Sequence, residues 1–400
     1  MNFKCIRTES VLCFFLGSLG IWSNLQIIYI ESGKAALKKL PQGLHYTQLH
    51  CFFMADLSQF DPNSVGNPNN NIFGLPFSEE DALLVLIPVP WEVTVSYKAG
   101  TARAPEHLFR SSLQVDLFDP EIVDGWKKGF FMRETDKKIL LKSDYLRKEA
   151  ELYINYISLG ESIEKNKFMC KTLKEVNEGS VFLNKWVYEQ TSELLEKDKL
   201  VGIIGGDHSS PLGFMKAIAD KHGDFGILQI DAHCDLRESY EGFVHSHASI
   251  MYNALKDVPQ ITKLVQVGIR DYSESEWKYI CESQYRVITF FDKDIKERQY
   301  DGQTWKQIAD EIVNCLPQKV YISFDIDGLD PKLCPNTGTP VQGGFEIEQI
   351  FYLIKKILQS KRQLVGFDLS EIGISNNEWD ENVGARVLFK LCHFMVASSQ

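Results

Sequence analysis

Two short runs of this chain set acids and an imidazole at alternate positions. They are Asp231-Ala-His-Cys-Asp235 and Ser323-Phe-Asp-Ile-Asp-Gly-Leu-Asp-Pro331. The alternating residues are Asp231, His233 and Asp235 in the first, and Asp325 and Asp327 in the second. His208, in Gly205-Gly-Asp-His-Ser209, is a further ligand type. Each cluster ends an apolar run. On a strand, residues two apart share a face, so each set is expected to project together. Four acids and two imidazoles on one spot would repel and resist desolvation unless cations neutralised them. Oxygen and imidazole ligands without a thiolate pattern favour Mn, Fe, Co, Ni or Zn over Mg or Ca. The carboxylate count suits two ions. Two metals about 3.5–4 Å apart can make water a nucleophile at neutral pH.

The rest of the chain must position these groups. From Asn184 onward, helices alternate with short, continuously apolar strands. Expected strands are 200–204, 226–230, 263–267, 286–290, 320–324 and 364–369, with a last helix over 382–396. This rhythm predicts an α/β fold with a parallel sheet covered on both faces. Sites in such sheets lie at the carboxyl ends of strands, where all the clusters fall. Ala82-Leu-Leu-Val-Leu-Ile-Pro-Val-Pro90 adds a buried strand ahead of this region. Residues 113–180 carry dense charge without strand rhythm and read as an insert, with helical spacing over 145–159.

The 400 residues have a hydrophobic content of 44% and a net charge of −11. The hydrophobic share is ample for a core, and the acidic balance argues against nucleic acid as a partner. Nine dispersed cysteines without a Cys-x-x-Cys pair read as reduced thiols of a cytoplasmic protein. Residues 1–53 are expected to stand outside the core. Their uncharged stretch 11–30 follows Lys4 and Arg7 and resembles a leader or a short anchor. Asn24 and Gln26 interrupt it, and Met54-Ala-Asp-Leu reads as a natural start, so a mis-assigned extension is the preferred reading and no membrane partner is expected. Residues 54–81 form a polar arm, and 82–400 the catalytic domain.

Gly-Gly-Asp-His-Ser, Asp-Ala-His-x-Asp and Ser-x-Asp-x-Asp-x-x-Asp-Pro, in that order, resemble the ureohydrolases, the group of arginases, agmatinases and guanidine hydrolases. The resemblance covers about 82–396. It implies a three-layer αβα sandwich with a mainly parallel sheet of about eight strands. It also implies two divalent ions, Mn2+ first and Ni2+ second. One ion would be held by His208, Asp231, Asp235 and Asp325, the other by His233, Asp231, Asp325 and Asp327, with Asp231 and Asp325 bridging. Asp235 would also hold the attacking nucleophile by a hydrogen bond. The Ser-His-Ala around His247 resembles the agmatinase shuttle histidine, with His245 as its competitor. Glu371, in Phe367-Asp-Leu-Ser-Glu-Ile372, matches the carboxylate that pairs with a guanidinium. A homo-oligomer, trimer or hexamer, is implied as well.

The loop 236–244 differs from the arginase loop that binds an amino-acid head, which disfavours L-arginine. Leu-Arg-x-x-Tyr-x-Gly…Ser-His-Ala is agmatinase-like. The strand exit Pro90-Trp-Glu-Val-Thr-Val-Ser-Tyr97, the insert and the tail 376–387 are similar to the subgroup containing guanidine hydrolases. The expected reaction releases urea from agmatine or guanidine, with guanidinobutyrate-like acids, formimidoyl compounds or a deacetylase-like amide as alternatives. Trp91, with Trp379, is expected to wall a small substrate pocket.

Overall fold

The computed structural model describes residues 57–399 and, before them, four short strands. The chain divides into two units, 1–52 and 53–400. In the first, Gln26–Glu31 pairs antiparallel with Lys34–Lys39, and Ile6–Arg7 with Leu12–Cys13. The expectations of a leader, an anchor or a mis-assigned start fall on residues largely outside the described ones. Among the described residues no helix is long and apolar enough to cross a membrane.

The second unit is built on eight strands: β1 (Leu84–Val89), β2 (Phe130–Met132), β3 (Leu200–Gly205), β4 (Phe225–Ile230), β5 (Ile261–Ile269), β6 (Val287–Phe291), β7 (Lys319–Asp325) and β8 (Gln363–Ser370). Their order in the sheet is β6-β5-β4-β7-β8-β3-β1-β2. Every pairing is parallel, so the sheet is wholly rather than mainly parallel. Among the described residues ten α-helices cover it: α1 (Ala104–Ser112), α2 (Lys137–Ser158), α3 (Lys167–Glu196), α4 (Leu212–His222), α5 (Ile250–Asp257), α6 (Glu274–Glu282), α7 (Asp292–Tyr300), α8 (Trp305–Cys315), α9 (Ile347–Gln359) and α10 (Trp379–Ser398).

Strand alternation divides the core into two. Leu84 and Leu86 of β1 join α1, α8, α9 and α10, while Val85, Ile87 and Val89 join α2, α3, α4 and α5. The result is helix, sheet, helix, which explains why the strands read as unbroken apolar runs.

The insert differs most from its sequence reading. It holds the edge strand β2, all of α2, and the first half of α3. Helix α3 starts 17 residues before the expected 184, at Lys167. Asp136 and Asn166 cap α2 and α3 by accepting from the second and third helical N–H groups. Helix α7 begins directly after β6 with no breaker between them, which hid it in the sequence. The six described cysteines, Cys170, Cys234, Cys281, Cys315, Cys334 and Cys392, are all free thiols.

Candidate active site

The acids and imidazoles meet at the carboxyl ends of four neighbouring strands, β4, β7, β8 and β3. His208 follows β3, Asp231–Asp235 follow β4, Asp325 ends β7, and Glu371 follows β8. Chain crossovers bring β7 and β8 between β3 and β4, so segments more than a hundred residues apart converge there.

Strand alternation does not account for this convergence. β4 ends at Ile230, so Asp231, His233 and Asp235 lie in a loop, and Asp327 sits in the 3-10 turn Ile326–Gly328. Asp235 and Glu371 adopt left-handed backbone, with φ 54° and 61°. Such strain costs about 1–3 kcal/mol per residue and persists where the surroundings over-determine it. Here the Asp235 carbonyl accepts from the Met251 and Tyr252 N–H groups, and the Glu371 N–H donates to the Gly206 carbonyl.

The six ligand-type residues form two clusters. Nδ1 of His208 faces Asp235 Oδ2 at 2.9 Å, Asp231 Oδ2 at 3.1 Å and Asp325 Oδ2 at 3.4 Å. Nδ1 of His233 faces Asp327 Oδ2 at 3.1 Å and Asp231 Oδ1 at 3.6 Å. Asp231 thus turns one oxygen to each cluster, and cation-sized groupings exist for His208–Asp231–Asp235 and Asp231–His233–Asp327. Asp325 reaches only the His208 side, its other oxygen accepting the Asp327 N–H at 2.9 Å.

Electrostatics supports occupation by cations. Burial, with Asp327 and Asp231 beside it, pushes the Asp325 carboxyl well above the usual range. Burial and Asp231 push Asp235 up to about 7. Burial opposes the charge on Asp231 too, but the His208 and His233 bonds outweigh it and hold that carboxyl low. The acids resist ionising together, and nearby divalent charge removes that conflict. The donor set, all oxygen and imidazole, fits such ions.

A polar row runs across the sheet beneath the clusters. Register aligns Thr289, Gln266, Gln229, Ser323 and Asp368 on β6, β5, β4, β7 and β8. Thr289 donates to Gln266 Oε1 and Gln266 to Gln229 Oε1, both at 2.7 Å, and Gln229 donates to Asp231 Oδ2 at 2.8 Å. Ser323 Oγ lies 2.9 Å from His208 Nε2, with Asp368 Oδ1 at 3.7 Å. This row fixes the orientation of the residues above it, as outer partners of metal ligands do. The sequence signal was one polar residue inside each of several apolar strands.

Above the clusters lies a cavity of about 450 Å³. Its wall includes His208, His233, Asp235, Asp325, His247 and Glu371, and nearer the surface Asp271 and Tyr272. Glu371 Oε1 accepts the His208 N–H at 2.9 Å, while its buried Oε2 has no hydrogen-bond partner. His247 lines the same cavity from the 3-10 turn His247–Ser249, whose capping box joins Ser246 and Ser249. Its N–H donates to Thr94 Oγ1 at 3.2 Å, and Tyr240 meets its ring edge-on at 5.9 Å. Burial, with His233 and His208 near it, holds its imidazole below the usual range. His245 lies elsewhere, in a groove with Val244 and residues of α3. Arg237, also on the cavity wall, leans on Glu276 at 3.8 Å and over the Tyr240 ring.

Trp91 is not a wall of this cavity. Its side chain is 0% exposed and belongs to the core under α3. The carbonyl of Trp91 accepts the Asp207 N–H at 2.7 Å, which turns its indole inward. Trp379 also stays off the cavity, its indole N–H donating to the Lys332 carbonyl. The Trp91 backbone touches Gly206 so closely that a Cβ there would lie 1.9 Å from the carbonyl oxygen. Gly206→Ala is therefore expected to destabilise the protein by about 3 kcal/mol or more, read from its urea unfolding midpoint.

Against known proteins, the Arginase family model matches residues 82–393. N(1)-aminopropylagmatine ureohydrolase of Thermus thermophilus is 27% identical over 310 residues, covering 78% of this chain and 89% of that protein. Agmatinase of Bacillus cereus is 26% identical, covering 74% and 85%. The structure of agmatine ureohydrolase from Thermoplasma volcanium superposes with a TM-score of 0.59 at 21% identity, over 79% of this chain and 90% of that one. With the arginase-like α/β fold and the ligand residues gathered at its strand ends, the chain belongs to the arginase family, enzymes that hydrolyse guanidino C–N bonds.

Proposed function

We propose that this protein releases urea from agmatine or a similar guanidine carrying a distal amine, using two divalent ions, Mn2+ or Ni2+. The observation that carries the reading is Asp231, whose two oxygens are divided between the His208 and His233 clusters on the floor of one cavity. When bound, the ions supply the Lewis acidity that makes water a nucleophile at neutral pH.

The protein's own residues do the rest. His208, Asp231, Asp235 and Asp325 would hold one ion. His233, Asp231 and Asp327 would hold the other. Asp235 lines the cavity and orients the attacking water by accepting a hydrogen bond. Glu371 offers its unpartnered Oε2 to the guanidinium, a charge-assisted bond. His247, neutral and within the cavity wall, carries a proton to the departing amine.

Three observations favour agmatine over free guanidine. The cavity is far larger than guanidine, and neither Trp91 nor Trp379 closes it. Exposed Asp271 stands on its outer wall, where it suits a distal ammonium. Relatives that this chain covers to 85% or more are named for agmatine or aminopropylagmatine.

Urea release from agmatine, aminopropylagmatine, guanidine, 4-guanidinobutyrate and arginine, with Mn2+ and Ni2+ loaded separately, tests the reading. Urea from guanidine alone would reverse it. Asp271→Asn should raise KM for agmatine about tenfold while leaving any turnover of guanidine unchanged. Equal effects on both substrates would remove Asp271 from recognition. A homo-oligomer, trimer or hexamer, and a cytoplasmic setting complete the proposal. The free described thiols support the latter, and light scattering measures the former.

A further inference from the structure

The α2–α3 hairpin holds the two loops that meet at His247. From α3, Asn177 clamps the backbone just ahead of this histidine: its Nδ2 donates to the Gly242 carbonyl at 3.2 Å, and its Oδ1 accepts the Val244 N–H at 2.8 Å. The turn Tyr240–Phe243 before that point is seated on the same hairpin. Phe243 is fully buried with its ring 5.3 Å from Tyr153 of α2. Gly242 has φ 83°, and a Cβ there would lie 2.9 Å from the Tyr153 hydroxyl, so the turn fits tightly. From α2, Arg147 donates to the carbonyls of Val93 and Val95, and Ser143 Oγ accepts the Glu92 N–H at 3.1 Å. Between those carbonyls lies Thr94, whose hydroxyl accepts the His247 N–H.

We propose that the hairpin is a brace for His247, and that Asn177 and Arg147 are positioning residues for proton transfer. Neither lines the cavity wall, and both act on backbone a few residues from the imidazole or from its Thr94 partner. The physical logic is that a loop residue is only as well placed as its loop. Small misplacements of a proton donor cost rate without changing what binds. This inference rests on His247 serving as the proton carrier.

The test is a double-mutant cycle on the full-length protein, with agmatine as substrate and Mn2+ loaded. Asn177→Ala should lower kcat about tenfold with KM and metal content unchanged. Asn177→Asp keeps the acceptor for Val244 but loses the donor to Gly242, and should fall between. In a His247→Ala background, Asn177→Ala should add no further loss, because a brace without its load has nothing to position. An equal loss in both backgrounds would make the clamp merely structural and overturn the proposal, as would an unchanged kcat in the parent. A His247→Ala protein with full turnover would instead sink the proton-carrier reading itself. Unfolding curves of each variant separate these outcomes from loss of fold.

Discussion

Asp231→Ala protein is expected to bind neither divalent ion tightly and to release urea at least about a thousandfold more slowly. The reason is geometric. No other described residue takes part in both cation-sized groupings, so one truncation opens both. The loss of a like charge does not compensate, because the remaining acids still lack neutralisation. Asp325 remains buried and crowded by Asp327. Asp325→Ala is the informative comparison. Its Oδ2 faces His208 while Oδ1 is tied to the Asp327 N–H, so the ion on the His208 side should be lost first. Metal content by elemental mass spectrometry, read beside urea release, checks both variants. Asp231→Ala protein that kept two ions and normal turnover would end the two-ion reading.

His247→Ala should behave in the opposite way, keeping both ions while kcat falls about 10²- to 10³-fold. Its imidazole contacts Thr94, Ser246 and Tyr240 rather than any carboxylate of the clusters. Removing it therefore leaves the ligands in place. Expulsion of an amine from a tetrahedral intermediate needs a proton, and the imidazole in the cavity wall is placed to relay one. His245→Ala is the control and should leave kcat unchanged, because His245 lies in a separate groove against α3. Equal losses from the two variants would reassign the role, and a normal rate from His247→Ala would exclude it as the proton carrier.

The sequence by itself determined the ligand types, their order, and their position at the ends of apolar runs. It also determined the strand–helix rhythm after residue 184, because continuous apolar strands and periodic helices are local patterns. His247 and Glu371 were legible only through family resemblance, since a lone histidine or glutamate has no spacing to read. Register and side-chain direction were decided by the tertiary structure. The row from Thr289 to Asp368 exists because five strands separated in sequence pair in one register, which no local pattern encodes. Trp91 reads as a pocket wall because it follows a strand end, yet the tight approach of Gly206 and Asp207 turns it into the core. Helix α3 begins earlier than its pattern suggests because Gly179, a poor helix former inside it, faces α2. The glycine lets Leu146 pack where a Cβ would collide. The left-handed turns at Asp235 and Glu371 belong to the same class. They are held by bonds from α5 and from Gly206, contacts that exist only once the sheet has closed its order.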